Sequence, residues 1–345
     1  MICSHNLRQI NERDFYILET KRERILFLLR YAILAPSTHN SQPWKFKLKN
    51  EICEMHKDLK RLLPQADKTE KNLYISLGCC LENLVIAAKY LNINQKVIYH
   101  RPKNSQDSLV ATVKFENIMR NMSFNSNYKD IFSAIQERTT HRGIYTKKAI
   151  DKKIIQKIIE DYSNNKVKVQ IITHDDQIKK IAQLTQKSIK YLYSLKPFRR
   201  ELSQWINNNF SQKKEGIPGY ALKLPTVVSL FFPLLLKYIN ISQAISYINY
   251  KSILSMSAVC IICAQEETQT TWLEVGRTAE RVMLQLTSQN IRVYITVAAI
   301  DVEKTFKKVK SLINLTGSPQ FLFGLGYSSS NNIFTQRINV ENKII

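Results

Sequence analysis

Leu77-Gly-Cys-Cys-Leu-Glu-Asn-Leu-Val-Ile-Ala-Ala-Lys-Tyr-Leu-Asn-Ile93 overlays Val275-Gly-Arg-Thr-Ala-Glu-Arg-Val-Met-Leu-Gln-Leu-Thr-Ser-Gln-Asn-Ile291 without a gap. The glycine, the glutamate and the Asn-Ile pair coincide, the apolar rows match, and each segment feeds a strand-like run. Any amphipathic helix repeats its apolar spacing. Coinciding Gly, Glu and Asn-Ile positions are harder to obtain by chance, so the overlay predicts an internal duplication. Two such halves would pack as a pseudo-dimer, mimicking the symmetric interface of a homodimer.

Around these helices the pattern alternates between helix and strand. Lys21 to Leu34 is apolar at helical spacing and stops at Pro36. Trp44–Leu48, Lys96–Tyr99 and Leu109–Phe115 read as strands. The polar stretch Asn117–Asn127 reads as a junction between halves. Beyond it, helices are expected over Tyr128–Arg138, Ile154–Tyr162, Asp176 to about Asn207, and Trp272–Ser288. Strands are expected over Val167–Thr173, 257–264, Arg292–Val297 and Pro319–Tyr327. The organisation expected is an extension over 1–20, a first half over 21–120, and a second half over 121–345 with a lid-like insertion at about 210–245.

The 345-residue chain is 44% apolar and 23% charged, as folded rather than disordered proteins are. Its formal charge is +23. The basic residues form no single tract and no nucleic-acid-reading motif accompanies them, so no specific nucleic-acid partner is expected. Cys3, Cys53, Cys79, Cys80, Cys260 and Cys263 make no disulfide framework in a chain this long. Cys260-Ile-Ile-Cys263 has metal spacing but lies in a continuous apolar run; a buried strand there would point the two thiols to opposite faces. With no second Cys/His pair, no metal site is expected, and the thiols read as reduced core residues of a cytoplasmic protein.

No apolar core of a signal peptide follows the first charges. The most membrane-like run, Val227–Leu236, lies between Pro225 and Lys237, is interrupted by Pro233, and is too short for a span of about 20 residues. No transmembrane segment is expected. The run reads as an interfacial hairpin or as an apolar cover over a pocket.

Three stretches carry candidate chemistry. Ala35-Pro-Ser-Thr-His-Asn-Ser-Gln-Pro-Trp44 sets Ser37, Thr38, Asn40 and Gln42 behind the helix stop at Pro36. Such hydroxyls and carboxamides suit a heteroaromatic ring, or else an elaborate Asx-capped turn. Glu137-Arg-Thr-Thr-His-Arg-Gly143 places Arg138 and Arg142 four apart with hydroxyls between, matching a phosphate monoester or a solvated basic turn. Gly216-Ile-Pro-Gly219 precedes the apolar run and has the composition of a hinge. Arg337 is a further donor. The chain has no G-x-S-x-G, Walker loop or G-x-G-x-x-G. A cofactor that brings its own reactivity fits better than side-chain acid–base catalysis, and no catalytic side chain is assigned.

The loop at 35–44 resembles the flavin-ring loop of the nitroreductase superfamily. Ser76–Asn83, Arg138–Gly143, Gly216–Leu222, Trp272–Gly276 and Phe323–Tyr327 follow in order and resemble the Acg-like FMN-binding oxidoreductases of that superfamily. The resemblance covers roughly residues 20–340. It implies an α+β fold, with a central, mostly antiparallel sheet flanked by helices. It implies FMN as cofactor, with Pro36, Ser37, Thr38, Asn40 and Gln42 on its ring side and Arg138, Thr139, Arg142 and Arg337 at its phosphate. The implied reaction passes two electrons from NAD(P)H to a small-molecule acceptor such as a nitroaromatic or quinone. The implied assembly is a monomeric pseudo-dimer or a homodimer. Closure of 216–242 could block the nicotinamide, which leaves a flavin-sequestering protein as an alternative. A specialised flavin-dependent dehydrogenase of a peptide or small metabolite is another.

Overall fold

Helix α1 (Lys21–Ala32) begins at a capping box: the Thr20 hydroxyl accepts from the Glu23 amide, and the Glu23 carboxylate accepts from the Thr20 amide. It is followed by β1 (Trp44–Lys49), β2 (Ile52–Lys57), α2 (Lys71–Tyr90), β3 (Asn94–Tyr99), β4 (Leu109–Glu116) and α3 (Lys129–Glu137). Next come α4 (Lys152–Tyr162), β5 (Val167–Ile172), α5 (Asp175–Ser194), α6 (Lys196–Gln204), β6 (Ile206–Asn207), β7 (Ile217–Pro218), α7 (Thr226–Tyr238) and α8 (Ser242–Leu254). The chain finishes with β8 (Ala258–Ala264), α9 (Gln269–Ser288), β9 (Arg292–Ile295), α10 (Ala298–Asp301), α11 (Glu303–Lys310) and β10 (Ser318–Gly326). This computed structural model describes residues 8–345 apart from 103, 105, 120–122 and 314. Cys3 and part of the expected junction at 117–127 therefore lie outside the described residues.

The fold is α+β and its strands pair mostly antiparallel, as the resemblance implies. The strands form two four-stranded sheets, ordered β1-β2-β4-β3 and β5-β8-β10-β9, with a short parallel pair, β6-β7. Every neighbour within the two larger sheets is antiparallel. Ranked along the chain, both sheets have the order first-second-fourth-third. A 20-residue helix (α2 or α9) enters the third strand of each.

Two compact units share the chain. Unit 1 holds the residues through Arg138, Trp272–Ser288 and Phe334–Ile345; unit 2 holds Thr139–Thr271 and Gln289–Ile333. The division differs from the expected one at four places, one of them α3, which falls in unit 1 and not in the second half. The stretch before residue 21 belongs to unit 1, with Phe15 buried against Phe27 at 5.4 Å. Most of α9 and the C-terminal tail also join unit 1. The reason for α9 is steric. Gly78 of α2 lies so close to α9 that a Cβ would stand 2.2 Å from the Leu273 carbonyl oxygen, and a Cβ on Gly276 would stand 2.1 Å from the Ile75 oxygen. Each glycine meets the carbonyl three residues before its counterpart, so the helices cross about a local two-fold. Tyr74 and Trp272, each three residues before the overlaid segments and at the same offset, meet with ring centroids 6.3 Å apart. Asn92 and Asn290 both follow their helices with left-handed φ, 56° and 58°, a conformation asparagine tolerates well.

Helix α2 buries all its residues but Lys71 and Lys89. By length and composition it could cross a membrane, but 94% of its apolar window is buried inside the protein, as a core helix would be. It starts at Lys71, ahead of the overlaid segment that begins at Leu77, because the Asp67 carboxylate accepts from the Asn72 and Leu73 amides (3.1 and 2.7 Å). Strand β2 was not expected from the sequence. The long helix expected over 176–207 is two helices, parted at Leu195, two residues before Pro197. The run at 258–264 is the expected buried strand, and Cys53, Cys79, Cys80, Cys260 and Cys263 are all free and buried.

The glycine crossing gives a test of sign. At an open helix position Gly→Ala stabilises by about 1 kcal/mol. Gly78→Ala and Gly276→Ala should instead each destabilise by roughly 1–3 kcal/mol, because the atom displaced is backbone. Urea midpoints that rise for either variant would contradict the close crossing.

Candidate functional site

The loop after α1 is fixed from within. His39, Asn40 and Gln42 all have left-handed φ of 51–55°, which costs roughly 1–2 kcal/mol per residue without compensation. The compensation comes from the C-terminal tail. Arg337 donates to the Ile33, Leu34 and Ala35 carbonyls at 3.0–3.1 Å, occupying the open carbonyls at the end of α1. It also donates to Asn40 Oδ1 at 2.8 Å. Asn40 Nδ2 donates to the Gln336 carbonyl, and Gln42 Oε1 accepts from the Ile338 amide at 2.8 Å. The buried Lys343 ammonium donates to the Gln42 carbonyl at 2.7 Å.

Asn40, Gln42 and Arg337 are thus engaged in the frame of unit 1 instead of presenting free ring or phosphate donors. The Ser37 hydroxyl accepts from the Gln42 amide at 2.9 Å. Pro36 is buried, and Ser37 and Thr38 are half-buried. Thr38 lines a small cleft of about 10 Å³ with Ser41, Leu63, Asp67, Leu73 and Ser76.

Arg138 also faces the interior of unit 1. Its Nε lies 3.4 Å from Glu280 Oε1, and its Nη2 donates to the Leu34 carbonyl at 3.3 Å. The Asn83 amide, with its nitrogen turned to Glu280, donates at 3.1 Å. The matched glutamates of α2 and α9 have opposite characters. Burial would raise Glu82, but Arg277 and Arg281 outweigh it and hold this carboxyl below its usual range. Burial pushes Glu280 up to about 7 against the opposing pull of Arg138, Asn83, Arg337 and Arg8.

Thr139 and Arg142 belong to unit 2, so the Arg138–Arg142 fork is not a single cluster of one unit. Thr139 Oγ1 donates to Asn332 Oδ1 at 3.3 Å, and Arg292 donates to the same oxygen. The His141 amide donates to the Val293 carbonyl at 2.8 Å, which ties this segment to β9. Arg142 lies among Tyr145, Tyr193 and Tyr294, and burial lowers its pKa. The Lys223 ammonium packs onto Gly143, where a Cβ would be 2.4 Å from Nζ. Burial, with Lys223 second, brings His141 down to about 4, so the ring is neutral at pH 7. Among the described residues, neither Arg142, Lys223 nor Arg292 pairs with a carboxylate, and His141 Nε2 has no hydrogen-bond partner.

Sequence reasoning singles out Thr139 and Arg142 but not Lys223 and Arg292, whose charges act on the intervening His141. Lys223 comes from the turn after Gly219, and no spacing rule links it to residue 143. Gly216 and Gly219 serve close packing. Gly216 has φ +80°, and a Cβ on Gly219 would stand 2.6 Å from Asn209 and Ser229. Asn209 binds this stretch through the Ser229 hydroxyl and the Leu224 carbonyl.

No family model matches the chain. It is 24% identical over 314 residues to the uncharacterized protein Rv3127 of Mycobacterium tuberculosis, covering 87% of this chain and 86% of the relative. Solved structures similar to it are nitroreductases. The FMN- and NADPH-dependent nitroreductase NfnB of a Sphingopyxis strain is 12% identical (TM-score 0.40), covering 61% of this chain and 96% of that one. A Bacteroides fragilis nitroreductase with bound FMN is also 12% identical (TM-score 0.36), covering 60% and 93%. At these values the likeness lends no weight to a function, which must rest on this chain's own residues.

Two outcomes follow from unit 1. Arg337→Ala should destabilise it by about 2–4 kcal/mol and expose the tail at 334–345 to proteolysis. A tail as resistant as in the wild type would contradict its role as a tie. The second concerns pH. Below pH 4.5 Glu280 is protonated both folded and unfolded; as pH rises towards 7, the unfolded carboxyl ionises while the folded one holds its proton. Its stabilising share is therefore lost across that window. Glu280→Gln should remove this decline, read from urea midpoints at successive pH values; parallel curves for the two proteins would contradict it.

Proposed function

We propose that this chain is an FMN-dependent oxidoreductase of nitroreductase type, of the Acg-like branch. The observation that carries the reading is the cationic site of unit 2. Arg142, Lys223 and Arg292 gather around residues 139–143 without an acidic partner among the described residues. Arg142 and Arg292 are half-buried and Lys223 is exposed, and a guanidinium with a neighbouring hydroxyl matches a phosphate monoester. Arg142 and Thr139 are the phosphate ligands in this reading, with Lys223 and Arg292 supplying further positive charge.

On the ring side we assign Pro36, Ser37 and Thr38. Thr38 borders a cleft, and no hydrogen bond engages its hydroxyl among the described residues. Asn40, Gln42 and Arg337 are positioning residues: they hold the loop in its left-handed conformation. Arg138 is a positioning residue of the same kind, through Leu34 and Glu280. The flavin, when bound, would supply two-electron transfer from NAD(P)H to a nitroaromatic, quinone or similar acceptor. Neutral His141 adds no charge to the site.

The test compares FMN with riboflavin, which lacks the phosphate. The wild-type chain should bind FMN more tightly, and Arg142→Ala should cost about 10–100-fold in FMN affinity while leaving riboflavin unchanged. NADH or NADPH added anaerobically should bleach the bound flavin, and a nitro compound should restore its colour. Tight FMN without bleaching would favour sequestration. No FMN binding would overturn the proposal.

A further inference from the structure

Helix α7 presents one face to solvent along its whole length, and that face is apolar. Val227 is 69% exposed, Phe231 63%, Leu234 57% and Tyr238 65%, at the spacing of a single helical stripe. Leu230, Val228 and Ile239 add to it, and Tyr247 and Ile248 continue the exposure on α8. The opposite side of α7 is anchored, with Ser229 and Leu236 buried. An exposed apolar set of this extent marks an interaction surface.

The charge around it is predominantly positive. Between Gly216 and Gln265 there is no Asp or Glu, and the ionisable cations are Lys223, Lys237 and Lys251. Extended back to Gln177, which takes in most of α5 and all of α6, the count is twelve Lys and Arg against Glu201 and Glu215. Helix α5 packs on α8, and α6 packs on α7. Lysines border the apolar set beside tyrosines: Lys237 Nζ lies 5.1 Å from the Tyr238 ring and Lys251 Nζ 5.6 Å from the Tyr247 ring. An apolar centre with a Tyr and Lys rim is suited to the boundary between headgroups and acyl chains.

We propose that the outer face of α7 and α8 docks this protein onto an anionic lipid bilayer. The helices have 13 residues each and their axes bend by 115° at the break between them. Neither reaches the roughly 20 residues of a span, so the pair lies on the bilayer and does not cross it. The charge disfavours a second copy as occupant, because two such faces would bring lysine against lysine, whereas anionic headgroups supply the counter-charge.

The test is flotation of the full-length chain with phosphatidylcholine vesicles, made with and without phosphatidylglycerol. The chain should float with the anionic vesicles, less so at high salt, and stay in solution with phosphatidylcholine alone. Phe231→Ser combined with Leu234→Ser should reduce flotation by about tenfold or more. Both side chains are exposed, so circular dichroism and thermal unfolding should match the wild type. Absence of flotation with anionic vesicles, or equal flotation of the double variant, would overturn the proposal. So would a dimer in sedimentation velocity that the double substitution dissolves, which would assign the face to a second copy.

Discussion

The contact of Gly78 with Gly276 is the constraint on which unit 1 depends. It leaves no room for a side chain on either helix, so α2 and α9 approach backbone to backbone. At that separation Tyr74 meets Trp272, Cys79 Sγ reaches the Gly276 carbonyl at 3.2 Å, and Glu82 receives Arg277 at 2.6 Å. The crossing also explains why Trp272–Ser288, separated in sequence from the first segment of unit 1 by Thr139–Thr271, belongs to it. A single methyl group at the crossing would displace all of these contacts together.

Electrostatics divides the basic residues of interest into two kinds. Arg138 and Arg337 lie in the interior of unit 1, where backbone carbonyls and Glu280 receive their donors. They act as ties between segments far apart in sequence. Arg142, Lys223 and Arg292 in unit 2 have no such carboxylate. Arg142 and Arg292 are half-buried and Lys223 is exposed; gathered like charges repel one another, and an anionic ligand would relieve that repulsion.

The sequence allows some of this to be read and hides the rest for a physical reason. The overlay of 77–93 on 275–291 is legible because Gly78, Gly276, Asn92 and Asn290 each answer a local backbone demand, close approach or left-handed φ. The α1, β1 and β4 segments are legible from period alone. The roles of Asn40 and Gln42 are not, because their partners lie some 300 positions away in the tail. Both readings of the 35–44 loop, ring contact and capped turn, remain open in the sequence. In the structure, capping engages Asn40 and Gln42 and leaves Thr38 at a cleft. Lys223 is invisible for the same reason: it reaches Gly143 through a turn, not through a repeat.

The central claim is that the uncompensated cations of unit 2 are a phosphate seat, while the arginines of unit 1 are structural. Phosphorus NMR of FMN bound to the intact chain tests it most directly. The account predicts a phosphate resonance displaced from that of free FMN, which Arg142→Lys shifts again and Arg337→Lys leaves in place. A resonance indifferent to Arg142 and responsive to Arg337 would contradict it.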